Sequence, residues 1–413
     1  MLVLIVVALA IAIATFDADR FRPLVISRLQ EALGRPVQLE RIALGWQGGI
    51  AIQLHGVAIE QQTAAPPGPL VRADSVSALV RLMPLLHRRL EISSLRVEQG
   101  VVRWHDAAMS PPIAVAITAL EVTVKNVSFE APMDIEANGA IASDAPNVHL
   151  RGRLSLPRAG HAGSIDQVAL TVEHLPLEQL LPPTGPWEPQ LRGRLQVALE
   201  GRVPTLEPTA LTRSVSGRGR LALTEPVIVN LNVLRAALGQ LSMIPGLVPM
   251  LEERLPPEYQ EQLAAKDTVL SVIEISVQLE EGWLRFDDLR VSSETFQLIG
   301  AGRVGLDGTV LVRAILQVNP TLSAAIISRV HQLRALANLQ GAIELPVTVE
   351  GRAPRVAVLP DLNAIAPKLV VTTAVDILGG LIPQEEAEAD EAAEGDLLGD
   401  ILRRVLDRNV PAE

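Results

Sequence analysis

The sequence predicts a mainly β protein: one elongated, curled antiparallel sheet shaped as a groove, with an N-terminal transmembrane helix and a few short covering helices. Three observations carry this expectation. Segments such as Leu191 to Val203 alternate apolar and polar residues with a period of two, which gives a strand one oily face and one wet face. Glycine recurs on the oily beat, at Gly152, Gly193, Gly201, Gly217 and Gly219, where it permits bending and leaves volume free. From Val37 to about Leu221 such segments follow one another with only short turns between them, which favours antiparallel pairing of neighbours.

Residues 1–16 read as a membrane anchor. Met1 to Thr15 carry no charge, and as a helix they span ~22 Å against a hydrocarbon core of ~30 Å. The anchor is therefore either shortened at its start or extended through Phe16. No basic stretch precedes it and no A-x-A-like site follows, which disfavours a cleaved signal peptide. Residues 17–36 predict an amphipathic helix that caps the sheet close to the membrane. Phe21, Leu24, Val25, Leu29, Ala32 and Leu33 recur at helical spacing, and Gly34 and Pro36 stop the helix.

Residues 37–229 form the N-terminal part of the groove, with alternation such as Ile135, Ala137, Gly139 and Ile141. Residues 230–268 break the rhythm: Leu231, Leu234, Leu238 and Leu241 have helical spacing, and prolines follow, so a helical insertion is expected. Residues 269–362 form the C-terminal part of the groove, interrupted by a helix from Leu322 to Ala337. A helix is expected over 363–383. Residues 384–396 hold Glu385, Glu386, Glu388, Asp390, Glu391, Glu394 and Asp396 without a base, and read as an acidic, disordered tether. Residues 397–413 close the chain with an amphipathic helix marked by Leu398, Ile401, Leu402 and Val405.

Composition narrows the function. Of 413 residues, 48% are hydrophobic but only 2% aromatic, so the apolar surface is smooth and aliphatic. A net charge of −11 argues against a nucleic-acid partner, which needs clustered cations. The absence of cysteine removes disulfides, cysteine-bound zinc and thiol nucleophiles. Gly300 to Gly305 match G-x-G-x-x-G, yet Leu298, Gly300, Gly302, Val304 and Leu306 share one strand face, so the motif lacks the helix a dinucleotide site requires. The seven histidines are scattered, without metal-ligand spacing. No catalytic, metal-binding or cofactor-binding residue is assigned, no cofactor is expected, and the chain reads as a non-enzyme.

The anchor followed by FDADRFRPLVISRLQEALGRPVQL resembles the start of the AsmA family of Gram-negative envelope proteins. Residues 282–312 and 345–362 are similar to that family's recurring strand block and to the block that closes its sheet. The resemblance implies a single-pass inner-membrane protein with its bulk in the periplasm, related in architecture to chorein-type bridge-like lipid-transfer proteins. It implies a part in phospholipid transport between the inner and outer membranes and in outer-membrane homeostasis, and no catalytic centre. The expected ligand is the acyl chains of phospholipids, held against Leu150, Leu154, Leu195, Val197, Leu199, Leu221, Leu223, Val304, Leu306 and Val347. Each of these either lines that path or packs under a helix or second layer. About twenty strands at ~4.8 Å would make a trough of ~100 Å. The alternative is a non-enzymatic scaffold for outer-membrane protein biogenesis, docking an outer-membrane or periplasmic partner through the C-terminal helix.

Overall fold

The computed structural model describes residues 17–367, apart from 47–48, 61–68, 82–83, 85–90, 107–112, 129, 159–161, 181–188, 208, 240–248, 250, 252, 254 and 354. The chain opens with a 3-10 turn, Ala18–Phe21, and helix α1, Arg22–Leu33. The first strands are β1 (Val37–Gln38), β2 (Arg41–Trp46), β3 (Ile50–Glu60), β4 (Pro69–Val80), β5 (Ile92–Asp106) and β6 (Ile113–Lys125). They are followed by β7 (Met133–Ile141), β8 (Val148–Ser155), β9 (Ser164–Pro176), β10 (Gln190–Val203) and β11 (Ser216–Val229). Helices α2 (Val233–Gly239) and α3 (Pro257–Ala264) come next. Strands β12 (Thr268–Val269), β13 (Ile273–Glu280), β14 (Trp283–Ser292), β15 (Phe296–Gly305) and β16 (Thr309–Val318) precede α4 (Pro320–Arg329). Strands β17 (Glu344–Arg352) and β18 (Arg355–Pro360) complete one sheet of 18 strands.

Every pairing is antiparallel and joins near neighbours in sequence, from β2–β3 through to β17–β18. β1 shares the outer edge of β3 with β2, and β12 shares the edge of β11 with β13. The sheet is therefore sixteen strands wide. At ~4.8 Å per strand this is ~70 Å, shorter than the ~100 Å expected from the alternation alone.

Residues directly opposite each other in a ladder lie on the same face. One row of opposed residues runs through Ile42, Leu54, Val76, Val97, Val122, Ala137, Leu150, Leu170, Leu199, Gly219 and Val277. Val277 packs with Phe286, and the row continues through Gly302, Val312, Val349 and Val358. It crosses the whole sheet without a polar side chain. A second row, two residues along each strand, runs from Leu44 and Ile52 to Gly351 and Val356 and is equally apolar. Between them, on the opposite face, lies a row containing Gln53, Ser77, Arg96, Thr123, Glu136, Arg151, Glu200, Arg218, Arg285 and Glu350. Arg151 pairs with Glu136 on that face at 3.5 Å.

The ladders shift register at several β-bulges. Gln99, Ala119, Gln167, His174 and Glu225 have φ between 49° and 52°, apart from Ala119 at 46°, and sit at or beside these shifts. A bulge adds twist and bends its strand, so this recurrence coils the sheet.

Two helical layers cover parts of the apolar face. At the β2 edge, Val25 and Ile26 of α1 pack on Leu39, Ile42, Leu44, Ile52 and Leu54. Gly34 ends α1 in a left-handed conformation, φ 62°, as its position in the sequence suggests. In the C-terminal half, α2, α3 and α4 bury Leu234, Leu238, Leu263, Leu322 and Ile326 against Leu316, Ile343 and Leu345. The helix expected from Leu322 to Ala337 is corrected in one respect. α4 stops at Arg329; Val330, buried at 3%, leaves helical geometry (φ −132°, ψ 83°), and a 3-10 turn, His331–Leu336, follows. β-Branched Val330 turns its side chain into the core at the point where the backbone breaks.

Of the expected helix at 363–383, residues 362–367 are helical. The remainder, like the anchor at 1–16, the tether at 384–396 and the helix at 397–413, lies outside the described residues. No helix among the described residues is long and apolar enough to cross a membrane.

Candidate functional site

The apolar face divides into covered and uncovered parts. Under the C-terminal helices, Leu316, Ile343, Leu345, Leu333 and Ile326 are fully buried. Across β4 to β11 the two apolar rows are neither buried nor fully exposed: Val76, Val97, Val122, Ile135, Leu150 and Leu170 are all half-buried. The helices α2 to α4 pack further along the sheet, and here, among the described residues, only the margin is touched by a short helix, Leu177–Leu180, which meets β10 and β6. An aliphatic strip continues from there into a cluster formed by Val277, Phe286 and Val312, against which Leu199, Leu221, Ile275, Leu284, Val304 and Val310 pack.

The glycines shape this surface. A Cβ on Gly201 would overlap the Ser216 carbonyl, and one on Gly219 the Ala198 carbonyl. β10 and β11 thus approach so closely on the apolar side that a side chain at either position would force them apart. The sheet is creased there.

The ten expected lining residues fall into distinct environments. Leu150 and Leu199 occupy the first apolar row and Val304 the second; all three are half-buried. Val197 and Leu221 face each other in an adjacent row, with Val172 and Ile275 as outer neighbours. Leu195 and Leu223 form the next pair, and Leu223 is buried at 7%. Leu154, opposite Met133 and Ile165, lies on the far margin. Leu306 lies just beyond the end of β15 and is exposed at 46%. Val347 is buried at 2% in the helix-covered core. Eight of the ten therefore form the continuous strip and its margin, while Leu306 sits at its lip and Val347 under the helices. The alternation alone did not single out Phe286, Val277 and Val312, the most deeply set residues of the strip. Their signal is their ladder register, which needs the pairing partners.

Charged chemistry stays off this face. A cavity of about 900 Å³ crosses β9, β10, β11, β13 and β14, and its walls include Glu200, Arg218, Arg220, Arg285, Asp287 and Asp288. The Asp288 carboxylate accepts from the Ser276 backbone N–H at 3.2 Å, at the bulge in β14. Asp307 is held below the usual carboxylate range, first by the Thr309 backbone N–H and hydroxyl, both at 3.0 Å, and then by Arg352 at 2.8 Å. These bonds tie the β15–β16 turn to β17. The glycine motif at 300–305 lies wholly within β15, so no helix N-terminus follows it. Among the described residues, no group of three or more His, Asp or Glu side chains is placed to hold a metal ion. His149 Nδ1 meets Asn138 Oδ1 at 2.8 Å on the polar face.

The N-terminal end of the strip has its own arrangement: α1 laid on the apolar face, clasped to β2, and followed by four further strands. That arrangement lies within a stretch that is similar to a known family. Residues 1–104 match the model of the AsmA family. The AsmA match spans the α1 cap, β1 to β4 and nearly all of β5. A role at the cell envelope is consistent with it. Beyond the AsmA match both apolar rows continue unbroken to β18. No curated protein and no solved structure matches the chain.

Proposed function

We propose that this protein holds the acyl chains of phospholipids along its uncovered apolar strip, and so contributes to phospholipid transport between the inner and outer membranes and to outer-membrane homeostasis. In this reading residues 1–16 anchor the chain in the inner membrane, and the sheet stands in the periplasm. The protein acts without a chemical step.

The observation that carries the proposal is the two-row apolar surface, sixteen strands wide, that stays half-exposed from β4 to β11. Removing one methylene from water is worth ~0.8 kcal/mol, so lying along such a surface stabilises an acyl chain without any polar contact. Because each row is apolar throughout, neighbouring positions along it are close in energy, and a chain can slide between them. Head groups remain in water at the margin.

Lipid analysis of the protein purified in mild detergent tests this. The expectation is phospholipid in stoichiometric amount, lost in Leu199→Asp and Leu221→Asp but retained in Arg220→Asp on the polar face. If the two apolar-face variants fold and carry lipid as the parent does, or if the parent carries none, the strip is not a lipid path.

A further inference from the structure

The β2 edge carries exposed apolar side chains at both of its ends. At one end, Phe21, the last residue of the 3-10 turn with the Arg20 guanidinium 4.8 Å from its ring centre, is 41% exposed, and Leu24 in the first turn of α1 is 57% exposed. At the other, Trp46 is 58% exposed at the last position of β2. The later turns of α1 are polar on that outer side, with Ser27, Arg28 and Glu31. Among the described side chains of α1, large apolar exposure is thus confined to the turn nearest the uncharged segment Met1 to Thr15.

The junction between helix and sheet is fixed. The Ile42 backbone N–H donates to Asp19 Oδ1 at 3.0 Å, and Arg22 Nη1 donates to the Glu40 carbonyl at 2.7 Å. Asp17 accepts from the Asp19 N–H at 3.2 Å, holding the 3-10 turn that leads into α1. From Ile42 to Trp46 the strand advances about 14 Å. Two apolar footholds are thus held apart along one edge strand by a hydrogen-bonded clasp.

We propose that the β2 edge is seated lengthwise on a phospholipid bilayer, with Phe21 and Leu24 at one end and Trp46 at the other embedded at its interface. Large apolar and aromatic side chains next to a membrane segment favour that depth. The occupant is a bilayer rather than a protein because the exposed apolar residues begin at Phe21, six positions after the uncharged apolar run Met1 to Thr15. The geometry has a directional result. The apolar rows cross the strands, so an edge lying in the membrane plane points the rows along the membrane normal. α1, which fills both rows at β2 and β3 with Val25 and Ile26, then stands between the bilayer and the strip. This seating rests on the lipid-holding reading for its purpose but not for its test.

The chain has no cysteine, so single labels are clean. Full-length Leu24→Cys, Trp46→Cys, Glu31→Cys and Glu136→Cys variants, each carrying an environment-sensitive fluorophore, would be placed in nanodiscs of phosphatidylethanolamine and phosphatidylglycerol containing spin-labelled lipid. Positions 24 and 46 should lose most of their fluorescence, and positions 31 and 136 should keep theirs. Quenching at 24 alone, at all four positions, or at none overturns the seating. Lipid analysis of the same preparations reads the holding function separately, so either idea can fail without the other. A variant that loses the parent's thermal transition is replaced by the neighbouring label at position 21.

Discussion

The two halves of the sheet obey the same alternation and meet different fates. In the C-terminal half the apolar beat is sealed beneath α2, α3 and α4, and Leu316, Ile343 and Leu345 lose essentially all contact with water. In the N-terminal half the same beat, from Val76 to Leu170, stays half-buried. Period-two patterning therefore specifies which face is oily, and a separate set of residues decides whether that face is core or surface. One half supplies stability, and the other keeps an aliphatic surface available.

The contrast can be broken most directly by truncating one leucine in each half. Leu345→Ala should cost about 2–5 kcal/mol in denaturant unfolding, the range for a fully buried leucine whose cavity cannot collapse. Leu170→Ala should cost about 1 kcal/mol, because its side chain is only partly removed from water. Equal losses would mean that the N-terminal half is covered after all.

A second test removes one of the polar clips that hold the cover. Asn232 Nδ2 donates to the carbonyls of Gln262, Leu263 and Ala265 at 2.8, 3.3 and 3.1 Å, closing the end of α3. Asn232→Ala should cost about 1–3 kcal/mol by leaving those carbonyls unsatisfied. Hydrogen exchange would rise in α3 and in β15 to β17, while β5 to β8 stay as they were. Exchange rising equally in both halves would show that they open as a single unit.

The smallest expected effect is on acidification. Asp307 is depressed in the folded state, so its contribution is present above the ordinary carboxylate value of 3.8 and is lost as pH falls below that through the folded value. The side chain is largely exposed, so the loss is slight. Asp307→Asn should be slightly less stable than the parent near neutrality, with the difference shrinking as pH falls below ~4. A variant that differs from the parent at pH 3 by more than it does at pH 7 would reverse that assignment.

Much of this architecture was legible in the residues. The alternation of Leu191 to Val203 placed β10 and both of its faces, and the glycine at 34 placed the end of α1. What alternation could not carry is relative position. Gly219 and Val277 belong to one row only because β11 and β13 pair in that register, across an insertion of two helices. Val347 and Val304 look alike in sequence, and only the folding of α2 to α4 over one of them separates core from strip. The expected width was too great in part because β1 and β12 lengthen existing edges instead of adding new ones. The bulge at Ala119, between Thr118 and Leu120, carries no turn-forming residue that would have announced it.

Because the strands, β1 and β12 aside, pair with their neighbours in order along the chain, the wiring has few long-distance commitments. An extra hairpin inserted at any turn would widen the sheet by ~10 Å while leaving the rest of the ladder in place. Reach, in such a design, is a quantity that gene duplication can adjust in small steps, as a carpenter adds slats to a blind.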